Sequence, residues 1–100
     1  MIIQGTTPVV EVKLGFDSDL LSEAYVTFTQ GDKVVVEKSL QECTVDKRKL
    51  SVRLTQEETL LLMCDCKTEA QVKAKTTTGE VVASKIYTFS PKRILNTEVI

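Results

Sequence analysis

The side chains able to do chemistry fall in three places: Cys43 with Cys64-Asp65-Cys66, the pair Glu57-Glu58, and the loop Asp17-Ser18-Asp19. A structural zinc site takes about four ligands, usually from two separated pairs. Only Cys43 is left to join Cys64 and Cys66, so carboxylates would have to complete the shell. Redox-active thiols normally enclose two residues at the start of a helix, whereas Cys64 and Cys66 enclose one. The spacing favours ordinary free or part-buried thiols over an adventitious disulfide, and both over a metal. The odd count of 3 cysteines, in a chain with no export signal, points the same way. Histidine is absent. That removes the commonest general base and nitrogen ligand, and with it hydrolysis by a histidine-assisted nucleophile.

The carboxylates fare no better. Glycosidic cleavage needs two of them roughly 5–10 Å apart across a cleft, generally with aromatic platforms. Aromatic residues make up only 5% of the chain and tryptophan is missing. Asp17-Ser18-Asp19 has the opening of a calcium loop but lacks the other ligands and the closing glutamate, so a solvated turn is favoured. The 4 glycines are unclustered, which leaves no phosphate cradle. The residue inventory predicts no catalytic, cofactor-binding or metal-ligating residue, and no cofactor.

The elements that would carry these residues are strands. Val10, Val12, Leu14 and Phe16 alternate with Glu11, Lys13 and Gly15; Ala24, Val26 and Phe28 alternate with Tyr25 and Thr27. Leu50, Val52 and Leu54 repeat the pattern, as do Ala70, Val72 and Ala74. A period of two with one apolar face is that of antiparallel sheets covered on one side. Turn residues divide the runs: Gly31-Asp32, Asp46-Lys47-Arg48 and Thr78-Gly79, where glycine tolerates the positive φ of tight hairpins. The exception is Thr55-Gln56-Glu57-Glu58-Thr59-Leu60-Leu61-Leu62. Thr55 and Glu58 fit a capping box, and two glutamates lie where the helix dipole favours negative charge. Leu60 and Leu62 or Met63 are expected to turn into the core. Together these features predict one all-β domain over residues 1–100. Its architecture is an immunoglobulin-like antiparallel β-sandwich of about seven strands, with one short helical crossover near residues 55–62.

Composition bounds the partners. A chain of 100 residues buries roughly two-thirds of its unfolded surface, enough for one core without a staple. With 13 basic against 14 acidic side chains, it lacks the basic excess by which nucleic-acid binders neutralise phosphates. The run Lys47-Arg48-Lys49 reads as a solvated turn. Leu60–Cys64 is the longest apolar stretch, far short of the roughly 20 residues that cross a bilayer. No secretory signal opens the sequence. These readings predict a cytoplasmic protein in the producing cell, with no nucleic acid, membrane or small-molecule substrate as partner. The ending Arg93–Ile100 is apolar for a terminus and is expected to pair as a final strand or dock on another subunit.

Several segments occur in a familiar order: Met1-Ile2-Ile3-Gln4-Gly5-Thr6-Thr7-Pro8, Leu54-Thr55-Gln56-Glu57-Glu58-Thr59-Leu60, Ala70-Gln71-Val72-Lys73 with Gly79 and Ala83-Ser84, and Ile94-Leu95-Asn96-Thr97-Glu98-Val99-Ile100. Through them nearly the whole chain resembles small phage and prophage proteins of Firmicutes. These in turn are similar to the N-terminal immunoglobulin-like domain of phage baseplate upper proteins. The resemblance implies a non-catalytic structural or assembly protein, associated with the tail or baseplate and possessing no site residues to carry over. Its expected partners are copies of itself or neighbouring virion proteins. The alternative is a free-standing binding module that recognises a host protein or surface polymer through residues 15–22 and 39–49.

Overall fold

The computed structural model describes residues 2–100, and its elements follow the apolar alternation. Eight strands form: β1 Val9–Lys13, β2 Leu21–Gln30, β3 Lys33–Ser39, β4 Cys43–Asp46, β5 Lys49–Arg53, β6 Thr68–Thr76, β7 Val81–Ala83 and β8 Tyr87–Phe89. The helix α1, Gln56–Leu61, lies between β5 and β6. The smaller sheet has the order β1-β5-β4. The larger has the order β3-β2-β6, with β7 and β8 both on the outer side of β6. Every ladder is antiparallel. The fold is therefore an all-β sandwich.

Short connections fix which strands share a sheet. Gln30 pairs with Lys33 across Gly31-Asp32, and Gly31 adopts φ +64°, a left-handed conformation that costs glycine little. This tight hairpin keeps β2 beside β3 in the larger sheet. In constant-type immunoglobulin domains the second strand instead joins the first, fourth and fifth. The chain changes sheet through three segments: residues 14–20, the 3₁₀ turn Leu40–Glu42, and α1. The last is the expected helical crossover.

The core is built from the alternating positions. Ala24, Val26 and Phe28 of β2, Val36 of β3, and Ala70, Val72 and Ala74 of β6 pack on Val12, Leu14, Leu50, Val52 and Leu54. Phe28 stands opposite Ala70 in the β2–β6 register, so the largest side chain of the layer faces one of the smallest. Its ring meets Phe89 edge-on, with centroids 6.3 Å apart, the arrangement that aromatic quadrupoles favour. Leu62 is fully buried, Leu60 half-buried and Met63 exposed, which resolves the choice the sequence left open after the helix.

Two features depart from the simplest reading. The run after Gly79 is one strand broken in two. β6 pairs Lys73 with Ala83 but Ala70 with Tyr87, a register change of one residue. Ser84 spans the break: its N–H donates to the Val72 carbonyl at 2.8 Å, and its Oγ accepts from the Val72 N–H at 3.0 Å. The expected seven strand positions are thus occupied by eight segments. The apolar ending, in turn, forms no strand within the chain. Ile94 and Leu60 close over Gly5, where a Cβ would stand 3.3 Å from Ile94 Cδ1. Farther on, Gln56 Nε2 donates to the Ile100 carbonyl at 2.6 Å, and the Ile100 N–H donates to Gln56 Oε1 at 2.9 Å.

Candidate functional site

The residues singled out for chemistry are dispersed. Cys43 opens β4, half-buried, and its thiol donates to the Ser39 carbonyl at 3.2 Å. Burial pushes the Cys43 thiol up and the Glu42 carboxylate adds to this, against a smaller opposing effect of Lys38. It is accordingly held protonated, the unreactive form. Cys64 and Cys66 flank Asp65, whose φ of +54° turns the chain after α1. All three cysteines are free. Among the described residues no group of three or more histidine, cysteine, aspartate or glutamate side chains is placed to hold a metal ion.

The acidic pairs serve local structure. Glu58 Oε1 accepts from the Thr55 N–H at 2.8 Å while Thr55 Oγ1 accepts from the Glu58 N–H at 3.1 Å, closing the capping box. The same Oε1 meets Lys38 Nζ at 2.7 Å. Asp17 pairs with Arg48 at 3.3 Å, both largely exposed. Those two residues, with Ser18, Asp19, Asp46 and Lys47, wall a wide solvated hollow. Every buried side-chain nitrogen or oxygen among the described residues has a hydrogen-bond partner within the protein.

Concavity and apolar surface coincide elsewhere, on the side of the sandwich where β1 and β7 are both sheet edges. There a cleft of about 370 Å³ opens between the end of β1 and the β6–β7 hairpin. Leu14, Phe16 and Leu20 form one wall, Val72 and Ala74 the floor, and Val82 the other wall. A second groove of about 230 Å³ lies alongside, lined by Glu11, Lys13, Lys49, Lys85 and Tyr87. Lys13 borders both. Lys85 Nζ stands 5.1 Å from the Tyr87 ring centroid, and Lys49 is 3.9 Å from Glu11. The arrangement joins these surface charges to the apolar cleft. It offers an apolar slot with a charged rim and, at its lip, the unpaired edges of β1 and β7.

Residues 15–22, read as a binding loop, supply Gly15, Phe16 and Leu20 to this cleft; its other wall lies some sixty residues away in the chain and was not read from the sequence. The available signal was the apolar trio Leu14, Phe16 and Leu20 in a loop, facing the non-alternating Val81-Val82-Ala83. Of the two stretches read as binding loops, residues 39–49 are mostly taken up by a 3₁₀ turn, β4 and the start of β5.

Comparison with family models, curated proteins and solved structures finds no match to this chain. No helix among the described residues is long and apolar enough to cross a membrane.

Proposed function

We propose that this chain is a non-catalytic structural or assembly module of a phage or prophage, associated with the tail or baseplate and acting through protein–protein contacts. The observation that carries this reading is the apolar cleft between the free edges of β1 and β7. Unpaired strand edges are templates for strand addition, and an adjoining apolar slot supplies side-chain specificity. The sequence resemblance to phage proteins supplies the class of partner.

The test is sedimentation or light scattering of the purified chain, alone and with each product of the adjacent genes. A complex is expected, and Val82→Asp, which puts a carboxylate in the cleft wall, is expected to weaken it about tenfold. Circular dichroism of the variant checks that the fold is intact. A chain that remains monomeric and binds none of these proteins would overturn the proposal.

A further inference from the structure

We infer that the occupant of the cleft is residues 93–99 of a second copy of this chain, added as a strand beside β7. This names the partner of the surface described above and rests on that reading.

Three observations carry it. The first is apolar surface without cover: Leu95 is 88% exposed and Val99 49% exposed. In an extended chain, where side chains alternate in direction, Leu95, Thr97 and Val99 share one face. That face matches a slot walled by Leu14, Phe16 and Val82.

The second is charge order. Glu80 stands at the hairpin end of the cleft, and the adjoining groove holds Lys85 and Lys13 together with Lys49, which pairs with Glu11 at 3.9 Å. The segment carries Arg93 near its start and Glu98 near its end. Both pairs are five residues apart in sequence, about 17 Å for Arg93 to Glu98 in extended chain and less for Glu80 to Lys85, where the strand breaks at Ser84. A segment lying parallel to β7 sets Arg93 against Glu80 and Glu98 against the lysines.

The third is placement. Within one chain the segment leaves over Gly5 and Leu60 and ends on Gln56 of α1. That helix clasps β3 through Glu58 and Lys38, and β3 is the edge of the larger sheet opposite β7. The segment therefore leaves β8 and runs across one end of the sandwich to α1, so the donor surface of one copy is distinct from the β7 edge that would accept it. Such a heterologous contact builds rings where the rotation closes and filaments where it does not.

Sedimentation of the full chain, with Glu80→Lys and Arg93→Glu made singly and together, tests the docking. Both side chains lie on the surface, so folding is spared. Each single reversal is expected to weaken self-association roughly three- to tenfold, with the double reversal restoring it. Leu95→Asp with Val99→Asp is expected to abolish it, as judged by loss of all species above the monomer. Self-association untouched by any of these changes would overturn the inference. A monomer that binds a tail protein through a contact sensitive to Val82→Asp would also overturn it, yet leave the proposed function standing. A monomer that binds nothing would remove both.

Discussion

At the scale of single residues, the ion pair between Lys38 and Glu58 shows how unequal two partners can be. The Lys38 side chain is 9% exposed and that of Glu58 23%, so losing the carboxylate strands a buried cation, whereas losing the lysine leaves a carboxylate that water can reach. Glu58→Gln is expected to cost about 1–3 kcal/mol, and Lys38→Met, which keeps the apolar stem, less than about 1 kcal/mol. Urea midpoints of the two variants check the order. Equal losses would refute the assigned asymmetry. Acid sensitivity follows from the same contact. Burial raises the Glu58 pKa, but the Lys38 hydrogen bond, the Thr55 N–H and the Lys38 charge outweigh it, and the net shift is downward. The folded state then binds its proton at lower pH than the unfolded chain. The pair's contribution is full above the ordinary glutamate value and lost as pH falls through the lower folded value. Lys38→Met should flatten the decline in stability below the ordinary glutamate value of about 4.3, as followed by denaturation at stepped pH.

Among the elements, two glutamines do the work of missing strands. A glutamine amide sets a donor nitrogen beside an acceptor oxygen, as the backbone N–H and C=O of one residue are set, with a second N–H to spare. Gln30, at the end of β2, uses Nε2 to donate to the Met63 carbonyl at 3.0 Å. Its Oε1 accepts from the Met63 N–H at 2.9 Å, so Met63, two residues past the end of α1, is paired as if by another strand. Gln56 treats Ile100 in the same way. Gln30→Leu would leave both backbone groups of Met63 without their partner and remove the donor to the buried Thr68 hydroxyl, which keeps only its bond to the Cys66 carbonyl. The expected cost is about 2 kcal/mol, with faster amide exchange concentrated at Met63 and the following turn. Protection that falls evenly over the whole chain would contradict this role. Such ties explain what could be read in advance. Strand faces were legible because burial repeats every second residue through Ala24–Phe28 and Ala70–Ala74. The cap was legible because Thr55 and Glu58 sit at a fixed spacing. Gln30 was not, since a long polar side chain at a strand end gives no sign of where its amide points. Nor was the break at Ser84, because Val81–Phe89 reads as one continuous strand until the β6 register is known.

For the molecule as a whole, the question is whether two sheets joined by one short helix unfold as one body. A helix of six residues, Gln56–Leu61, has too few turns to persist alone. It is held by Leu62 in the core and by Thr59, whose buried hydroxyl donates to the Thr6 carbonyl at 2.9 Å. The smaller sheet has only three strands, and its buried face is covered by Val26, Phe28 and Val72 of the larger. Neither sheet retains a covered apolar face once they part, so separation of the layers and loss of strand pairing are one event. Tyr87 reports on the outer edge, being part-buried against the core in β8, while far-ultraviolet circular dichroism reports on all strands together. The two signals are expected to give the same urea midpoint and slope. A Tyr87→Phe control, leaving the exposed Tyr25 as the sole tyrosine, isolates the fluorescence of the edge. If the Tyr87 signal instead changed at clearly lower urea, β8 and the segment after it would be a separate, weaker unit. The edge proposed to receive a partner would then be ordered by binding rather than before it.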